Sequence, residues 1–428
     1  MEIVGECIYN NPPVLVAPSK PTPKHALYLS NIDDQRLLHF PIQYIYVFTG
    51  TSDMDALKVA LSRTLIDYYP LAGRFRASNE HDGNLIIDCN AEGAFFAEEF
   101  LPGLAAREFI LGHARPHKSW RKLLYKDEEQ SFVCTPPLVI QVTQLSSGGT
   151  ILCTTIAHCV SDAFGAAHFL RAWARAAILR ARAPRRALAP RCPPRLAFAH
   201  PEYTDASGGD DASAVAEASS RLFAPPLSPV SVTFTSAHVA RLKELYAPSS
   251  LEQCTSFEAL AAHVWRAWVR ALEPPAFLRV KLLFTMDIRR LVKPELPGGC
   301  YFGNAFVLAC AESTAGQLAA SAPHAARLVQ ETKQRVDDDY VRSVIDLLEV
   351  RRGCLPDLAA TFTISSLTRQ GLEDIDFGAG RPVHFGPLTS EVYCLFLPIQ
   401  PPVGWHEEEE SGSILGHELR SIAHILGH

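Results

Sequence analysis

Between Ala181 and about Pro229 the chain changes character, from a stretch rich in Pro, Arg and Ala to one rich in Gly, Asp and Ser, "HPEYTDASGGDDASAVAEASS". Neither a helical nor a strand period of apolar residues runs through it. The break divides 428 residues into two flanks, each long enough to bury a core of its own. The sequence therefore reads as an N-terminal domain over 1–180, a long crossover linker over 181–229, a C-terminal domain over 230–403, and a tail over 404–428.

Both flanks carry a similar inventory of elements, without a detectable sequence repeat. In the first, strand-like runs at Gln43 to Val47 and Leu85 to Asp88 bracket "MDALKVALSRTLIDYY", whose apolar residues recur every three or four positions. Further strands are predicted at Leu138 to Val142 and Thr150 to Ile156. In the second, Val230, Val232 and Phe234 alternate with polar residues, and a helix, "SAHVARLKELY", follows. A longer helix, "SFEALAAHVWRAWVRAL", starts at a Thr255/Ser256 cap with Glu258 in its first turn. The prediction is an α/β fold with a mixed β-sheet and flanking helices in each half. The tail, "GWHEEEESGSILGHELRSIAHILGH", fits neither pattern, and its acidic run reads as a solvated surface.

Charge and cysteine usage narrow the function classes. A net charge of -6 with scattered Lys and Arg gives no basic stripe, which points away from nucleic acid and toward a small molecule. The eleven cysteines include no CxxC pair and no compact cluster of zinc-finger spacing, so they read as reduced, buried thiols and no metal site is expected. The acidic, proline-interrupted start is unlike a signal peptide, and no apolar run approaches the roughly 18 residues of a membrane helix. A cytoplasmic protein without a membrane span is expected.

The strand predicted at Thr150 to Ile156 leads into His158, with Asp162 four residues on and a helix starting there and running to about Arg180. With sixteen histidines, about one HxxxD arises by chance, and the chain has one. On spacing alone, Asp162 as a helix N-cap and His158 as an interior histidine is the stronger reading. The alternative is a general base: an imidazole with a pKa near 6.5 can take a hydroxyl proton, an effect of about 10²- to 10⁴-fold. No GxSxG turn occurs and no cysteine stands in a nucleophile's context, which disfavours covalent catalysis.

Six blocks, the HxxxD turn among them, decide between these readings. "YYPLAGRF", "EGAFF", "HCVSDAFG", "SFEALAAHVWRA", "MDIRRLVKPELPGGCYFGNAF" and "DFGAG" occur in the order and spacing of the plant BAHD acyltransferases, which the chain resembles from about residue 10 to about residue 403. The resemblance implies two chloramphenicol-acetyltransferase-like domains with a channel through their interface and His158 at its middle. Acyl-CoA would be the co-substrate, with no permanently bound cofactor, and a small-molecule hydroxyl would be the acceptor. His158 would deprotonate that acceptor for direct attack on the thioester in a ternary complex. Ser365, in "TISSLTRQ", would donate to the oxyanion. Asp162 would point away from substrate and orient the loop through an arginine. Asp376, Phe377, Gly378 and Gly380 match the DFGWG motif, whose aspartate would pair with Arg289 away from the chemistry.

The chain departs from the family pattern at four places. Ala163 stands where a glycine usually follows the HxxxD aspartate, and Ala379 replaces the tryptophan of DFGWG. Leu367 replaces a second tryptophan, and the final strand and helix are not recognisable after about Val403. Leu367 and Ala379 are expected to reshape the channel, either by repacking or by widening it for an alkyl acceptor.

Among BAHD branches, the chain looks most like the one that moves feruloyl, caffeoyl or coumaroyl groups onto long-chain ω-hydroxy acids and fatty alcohols for suberin, cutin and wax. The segment "RRGCLPDLAATF" is shorter than in shikimate-using relatives, although Arg351 or Arg352 could meet an anionic acceptor. Two alternatives stay open: acylation of another small alcohol or amine, and a non-catalytic partner of very-long-chain fatty acid elongation. A monomer is expected.

Overall fold

The computed structural model describes residues 2–417 except 4, 10, 79–83, 112–117, 126–134, 176–187, 204–228, 248–253, 298–300, 369, 389–393 and 399–411. In the first half the strands are β1 (Ile8–Tyr9), β2 (Val14–Val16), β3 (Ala26–Tyr28), β4 (Pro41–Phe48), β5 (Arg74–Ala77), β6 (Leu85–Asp88), β7 (Ala94–Leu101), β8 (Leu138–Leu145) and β9 (Thr150–Ala157). The second half continues with β10 (Pro229–Phe234), β11 (Arg279–Asp287), β12 (Phe306–Thr314), β13 (Thr361–Ser366), β14 (His384–Pro387), β15 (Cys394–Pro398) and β16 (Gly412–His417). One large sheet runs β1-β7-β8-β9-β4-β14 with β2 also on β7, the other runs β10-β16-β15-β13-β11-β12, and β3, β6 and β5 form a small third.

Both large sheets mix directions, as the α/β prediction requires. Strand β8 is parallel to β7 and antiparallel to β9, while β13 lies parallel between β11 and β15. The sequence of β9, "TILCTTIA", is nearly all apolar or threonine because the strand is interior: it is antiparallel to β8 and β4, and only Thr155 is more than marginally exposed. On one face of this sheet lie α1 (Met54–Thr64), started by the Asp53 side chain accepting from the Asp55 and Ala56 N–H groups, and, beyond the short α2 (Ala106–Leu111), α3 (Ala163–Arg175). The two longer helices are tied together where the Trp173 indole donates to the Leu57 carbonyl at 3.0 Å.

The second sheet is covered by the helix Ser256–Leu272, which the sequence placed correctly. Thr255 Oγ1 accepts from the Glu258 N–H at 3.3 Å and Glu258 Oε2 accepts from the Thr255 N–H at 2.9 Å, a reciprocal cap. Its Trp265 and Trp268 are fully buried, in the core cluster that also holds the helix Asp338–Val350.

Three expectations change. First, β14 pairs antiparallel with β4, so the second half lends a strand to the first sheet. Second, the tail is not wholly outside the fold: Gly412–His417 fills the gap between β10 and β15, while 404–411 and 418–428 lie outside the described residues. A six-residue strand of backbone pairing needs little side-chain pattern when both neighbours are already in place. Third, part of the crossover is strapped down. Arg191 donates to Asp346 at 2.6 Å through Nε and 2.7 Å through its backbone N–H, and the His200 ring hydrogen-bonds Glu202 at 3.0 Å and Ser343 at 2.8 Å. Residues 181–187 and 204–228 lie outside the described residues, as does the expected extension of α3 to Arg180, while Pro229 begins β10.

Candidate active site

His158 follows β9 by one residue, where the chain leaves the sheet and turns into α3. The turn is held by the His158 N–H donating to the Phe40 carbonyl at 2.9 Å and the Ser161 N–H donating to the His158 carbonyl at 3.2 Å. The ring sits between Phe40 of the first half, centroids 5.3 Å apart, and Phe306 of the second, at 5.8 Å. It is half-buried and lies where the two halves meet.

Its tautomer is set by Asn304. The Asn304 Nδ2 donates to Asp33 Oδ1 at 2.9 Å and to the His158 carbonyl at 2.7 Å, so the amide cannot be reversed without facing two acceptors with an oxygen. Its Oδ1 therefore points to His158 Nδ1, at 3.1 Å, and that nitrogen carries the proton. Asp33 is buried and also accepts the Asn304 N–H at 3.0 Å, which fixes the amide from behind. Nε2 keeps its lone pair and has no protein partner among the described residues, the state in which an imidazole can accept a proton. Burial pushes the His158 pKa below its ordinary value, opposed by hydrogen bonding and by the Asp162 charge.

Asp162 does two things at once. Oδ1 accepts from the Gly165 N–H at 2.9 Å, capping α3, and from Arg289 Nη2 at 2.8 Å; Oδ2 accepts from the Ala305 N–H at 3.0 Å. The helix start is pressed closely on the second half, since a Cβ at Gly165 would lie 1.8 Å from the Phe302 carbonyl oxygen. The arginine that holds Asp162 is thus Arg289, and this overturns the expected Arg289–Asp376 pair. Arg289 also bonds Asp287 and the Gly303 carbonyl, each at 3.1 Å.

Asp376 is exposed and folds its own loop: its Oδ1 accepts from the Gly378 N–H at 2.7 Å and the Gly380 N–H at 3.0 Å. Both glycines have φ near +85° (86° and 84°), which a side-chain-bearing residue adopts with strain. Phe377 packs on Trp173, 4.6 Å between centroids, and on Phe48. Motif order alone offered two carboxylates for one guanidinium, and tertiary placement chose between them.

Leu367 and Ala379 are both buried in the apolar cluster of the first sheet. Neither lines the small pocket between that sheet and α3, whose walls include Tyr44, Tyr46, Thr154, Ile156 and Leu372. The departure that does reach this pocket is Ala163. Ser365, near the end of β13, is half-buried, and its Oγ lies 3.1 Å from Thr285 Oγ1. Asn304, Asp33, Phe40, Phe306 and Thr285 were not singled out in the sequence. Asn304 and Phe306 lie inside "YFGNAF", so the block was visible while their roles were not.

A histidine nitrogen in its base form, a hydroxyl pair and a carboxylate–arginine clamp thus stand on a pair of mixed sheets. Residues 13–403 match the model of the Transferase family, and the chain belongs to that family, the acyl-CoA acyltransferases of the BAHD type. The chain is 34% identical over 397 residues to benzyl alcohol O-benzoyltransferase of Petunia hybrida, covering 89% of this chain and 83% of that enzyme. Omega-hydroxypalmitate O-feruloyl transferase of Arabidopsis thaliana is 33% identical over 410 residues (91% and 86% covered), and fatty alcohol:caffeoyl-CoA acyltransferase of the same plant is 34% identical over 401 (90% of each). The fold is similar to the crystal structure of vinorine synthase, with TM-score 0.68, 18% identity and 98% and 96% coverage. It is also similar to F. graminearum TRI101 complexed with ethyl coenzyme A, with TM-score 0.73, 17% identity and 95% and 97% coverage.

Proposed function

We propose that this chain moves a hydroxycinnamoyl group from CoA to the hydroxyl of a long-chain ω-hydroxy acid or fatty alcohol, with His158 as general base. The observation that supports it most is the free lone pair on His158 Nε2, fixed by the Asn304 bond to Nδ1 at 3.1 Å. The acceptor O–H gives its proton to Nε2 as its oxygen bonds to the thioester carbonyl carbon, and the carbonyl electron pair moves onto oxygen. Ser365 donates to that oxyanion. When the carbonyl re-forms, the C–S bond breaks and the CoA thiolate takes the proton back from His158, leaving an ester and a free thiol. Asp162 and Arg289 hold the loop that carries the base. Proton transfer through a held histidine also favours an enzyme over a non-catalytic partner of fatty acid elongation.

A second reading, transfer to another small alcohol or an amine, is favoured by the burial of Leu367 and Ala379 in the apolar cluster of the first sheet, where the smaller side chains repack a core instead of widening a channel. The two readings separate in one assay. Release of free CoA is measured with feruloyl-, caffeoyl-, coumaroyl- and benzoyl-CoA against hexadecanol, ω-hydroxypalmitate, benzyl alcohol, shikimate and an amine. The first reading expects kcat/KM to rise along an alkanol series, by up to about 0.8 kcal/mol per methylene. A flat series with a preference for benzyl alcohol, shikimate or the amine supports the second. No CoA release with any pair rejects both. We further assign the protein to the cytosol as a monomer, which cell fractionation and sedimentation at about the 47.0 kDa chain mass test.

A further inference from the structure

The hydroxyls of Thr285 and Ser365 face each other across two parallel strands. The β11–β13 register ends at Phe284 opposite Ile364, which sets the next residues, Thr285 and Ser365, side by side, with their oxygens 3.1 Å apart. Both are half-buried and close to the carboxyl ends of their strands, the place where open α/β sheets collect ligands. They lie on the same sheet face as Phe306: in the β11–β12 register Thr285 is opposite Leu308, two residues from Phe306, and the Phe306 ring touches the His158 ring at 5.8 Å between centroids.

Each hydroxyl has one proton to give and two lone pairs. Among the described residues the only partner of either is the other. One proton is spent inside the pair, so the pair offers one donor to whatever stands in front of it. Which oxygen offers it depends on which way the internal bond points.

We propose that Thr285 is a positioning residue: it donates to Ser365 Oγ and so commits the Ser365 proton to the oxyanion of the acyl-transfer intermediate. The inference rests on the reading of Ser365 given above. With the internal bond supplied by the Thr285 proton, the Ser365 proton is not spent inside the pair and its O–H is left to point outward. A hydroxyl that itself accepts a hydrogen bond is also a better donor, because the chain polarises.

The test uses the full-length chain with the most active donor and acceptor pair from the CoA-release assay, and four variants: Thr285→Val, Thr285→Ser, Ser365→Ala and the double Thr285→Val/Ser365→Ala. Ser365→Ala is expected to lower kcat by about 10²-fold, the loss of one oxyanion donor. Thr285→Val, which keeps the shape and removes the hydroxyl, is expected to lower kcat about tenfold with KM for the acyl-CoA within about twofold. Thr285→Ser should recover most of that loss, and the double variant should be no slower than Ser365→Ala, because Thr285 acts through Ser365. Melting temperatures of Thr285→Val and Thr285→Ser should agree with the parent, which separates positioning from support of the fold.

The proposal is overturned if Thr285→Val keeps full kcat while Ser365→Ala loses it, if Thr285→Ser is no better than Thr285→Val, or if the two losses multiply in the double variant. If Ser365→Ala keeps full kcat, the reading of Ser365 itself is wrong and Thr285 has nothing to position.

Discussion

The loops that carry HxxxD and DFGAG each centre on one aspartate, and the two carboxylates behave in opposite ways. Asp162 is buried and reaches out, to the Gly165 N–H of its own helix and to Arg289 and the Ala305 N–H of the other half. Asp376 is exposed and, among the described residues, reaches only to Gly378 and Gly380, two and four residues on. One aspartate joins the halves of the molecule, and the other shapes a turn. Two motifs of similar length and polarity can therefore differ in whether their work is long-range or local, and burial is what separates them.

The largest effect is expected at Asp162. Asp162→Ala leaves Arg289 largely buried and deprived of its cross-half partner, and removal of one member of a buried pair costs about 3 to 5 kcal/mol. The melting temperature and CoA release should fall together. A variant that melts with the parent would show that the clamp is not what joins the halves.

Next in size is the histidine that the Asp162 loop carries. His158→Gln should lower kcat by at least about 10² while leaving the melting temperature unchanged. For the parent, the lowered His158 pKa means that the neutral base survives to more acidic pH, so kcat/KM should fall in acid with a midpoint below 6.5. A midpoint above 6.5 would contradict the burial that causes the shift.

On the DFGAG side, the strand after the loop carries His384, whose ring lies against Phe109 and Trp120 and whose pKa burial pushes down to about 4. The unfolded chain binds a proton here below its value of 6.5, and the folded chain does not until about 4. Stability should therefore be full above pH 6.5 and decline as pH falls toward 4, by about 2 kcal/mol after allowing for the solvent the ring still sees. Denaturant titrations at pH 7.5 and 5 (about neutral and about acidic) check this, and His384→Phe should remove that part of the decline. An unchanged pH slope in that variant would place the acid sensitivity elsewhere.

The smallest effect is expected at Asp376. Asp376→Ala loses two exposed local hydrogen bonds, about 1 kcal/mol. Its kcat should stay within about threefold of the parent. A loss as large as that of Asp162→Ala would erase the contrast between the two loops.

Much of the architecture was legible before any coordinates. The reciprocal Thr255–Glu258 cap, the Leu85–Asp88 strand and the strand-to-helix turn at His158 are local, because each depends on residues within a few positions of one another. The passage of β14 into the first sheet and of β16 into the second was not legible. Short strands are chosen by the edge they meet, and nothing in "HFGP" or "GSILGH" encodes which edge that is.

The site divides along the same line. Sequence by itself placed His158 and Asp162 on one turn, put Ser365 among the candidates, and tied the chain to its family through blocks that need only be read in order. Tertiary structure alone decided that Arg289 serves Asp162 rather than Asp376, that Asn304 orients His158, and that Thr285 stands beside Ser365. Arg289 and Asp162 are 127 residues apart, and Asn304 and His158 are 146 apart. A side-chain hydrogen bond forms only when its two atoms come within about 3 Å, and at such separations that distance is set by how the two sheets meet, which no local pattern records.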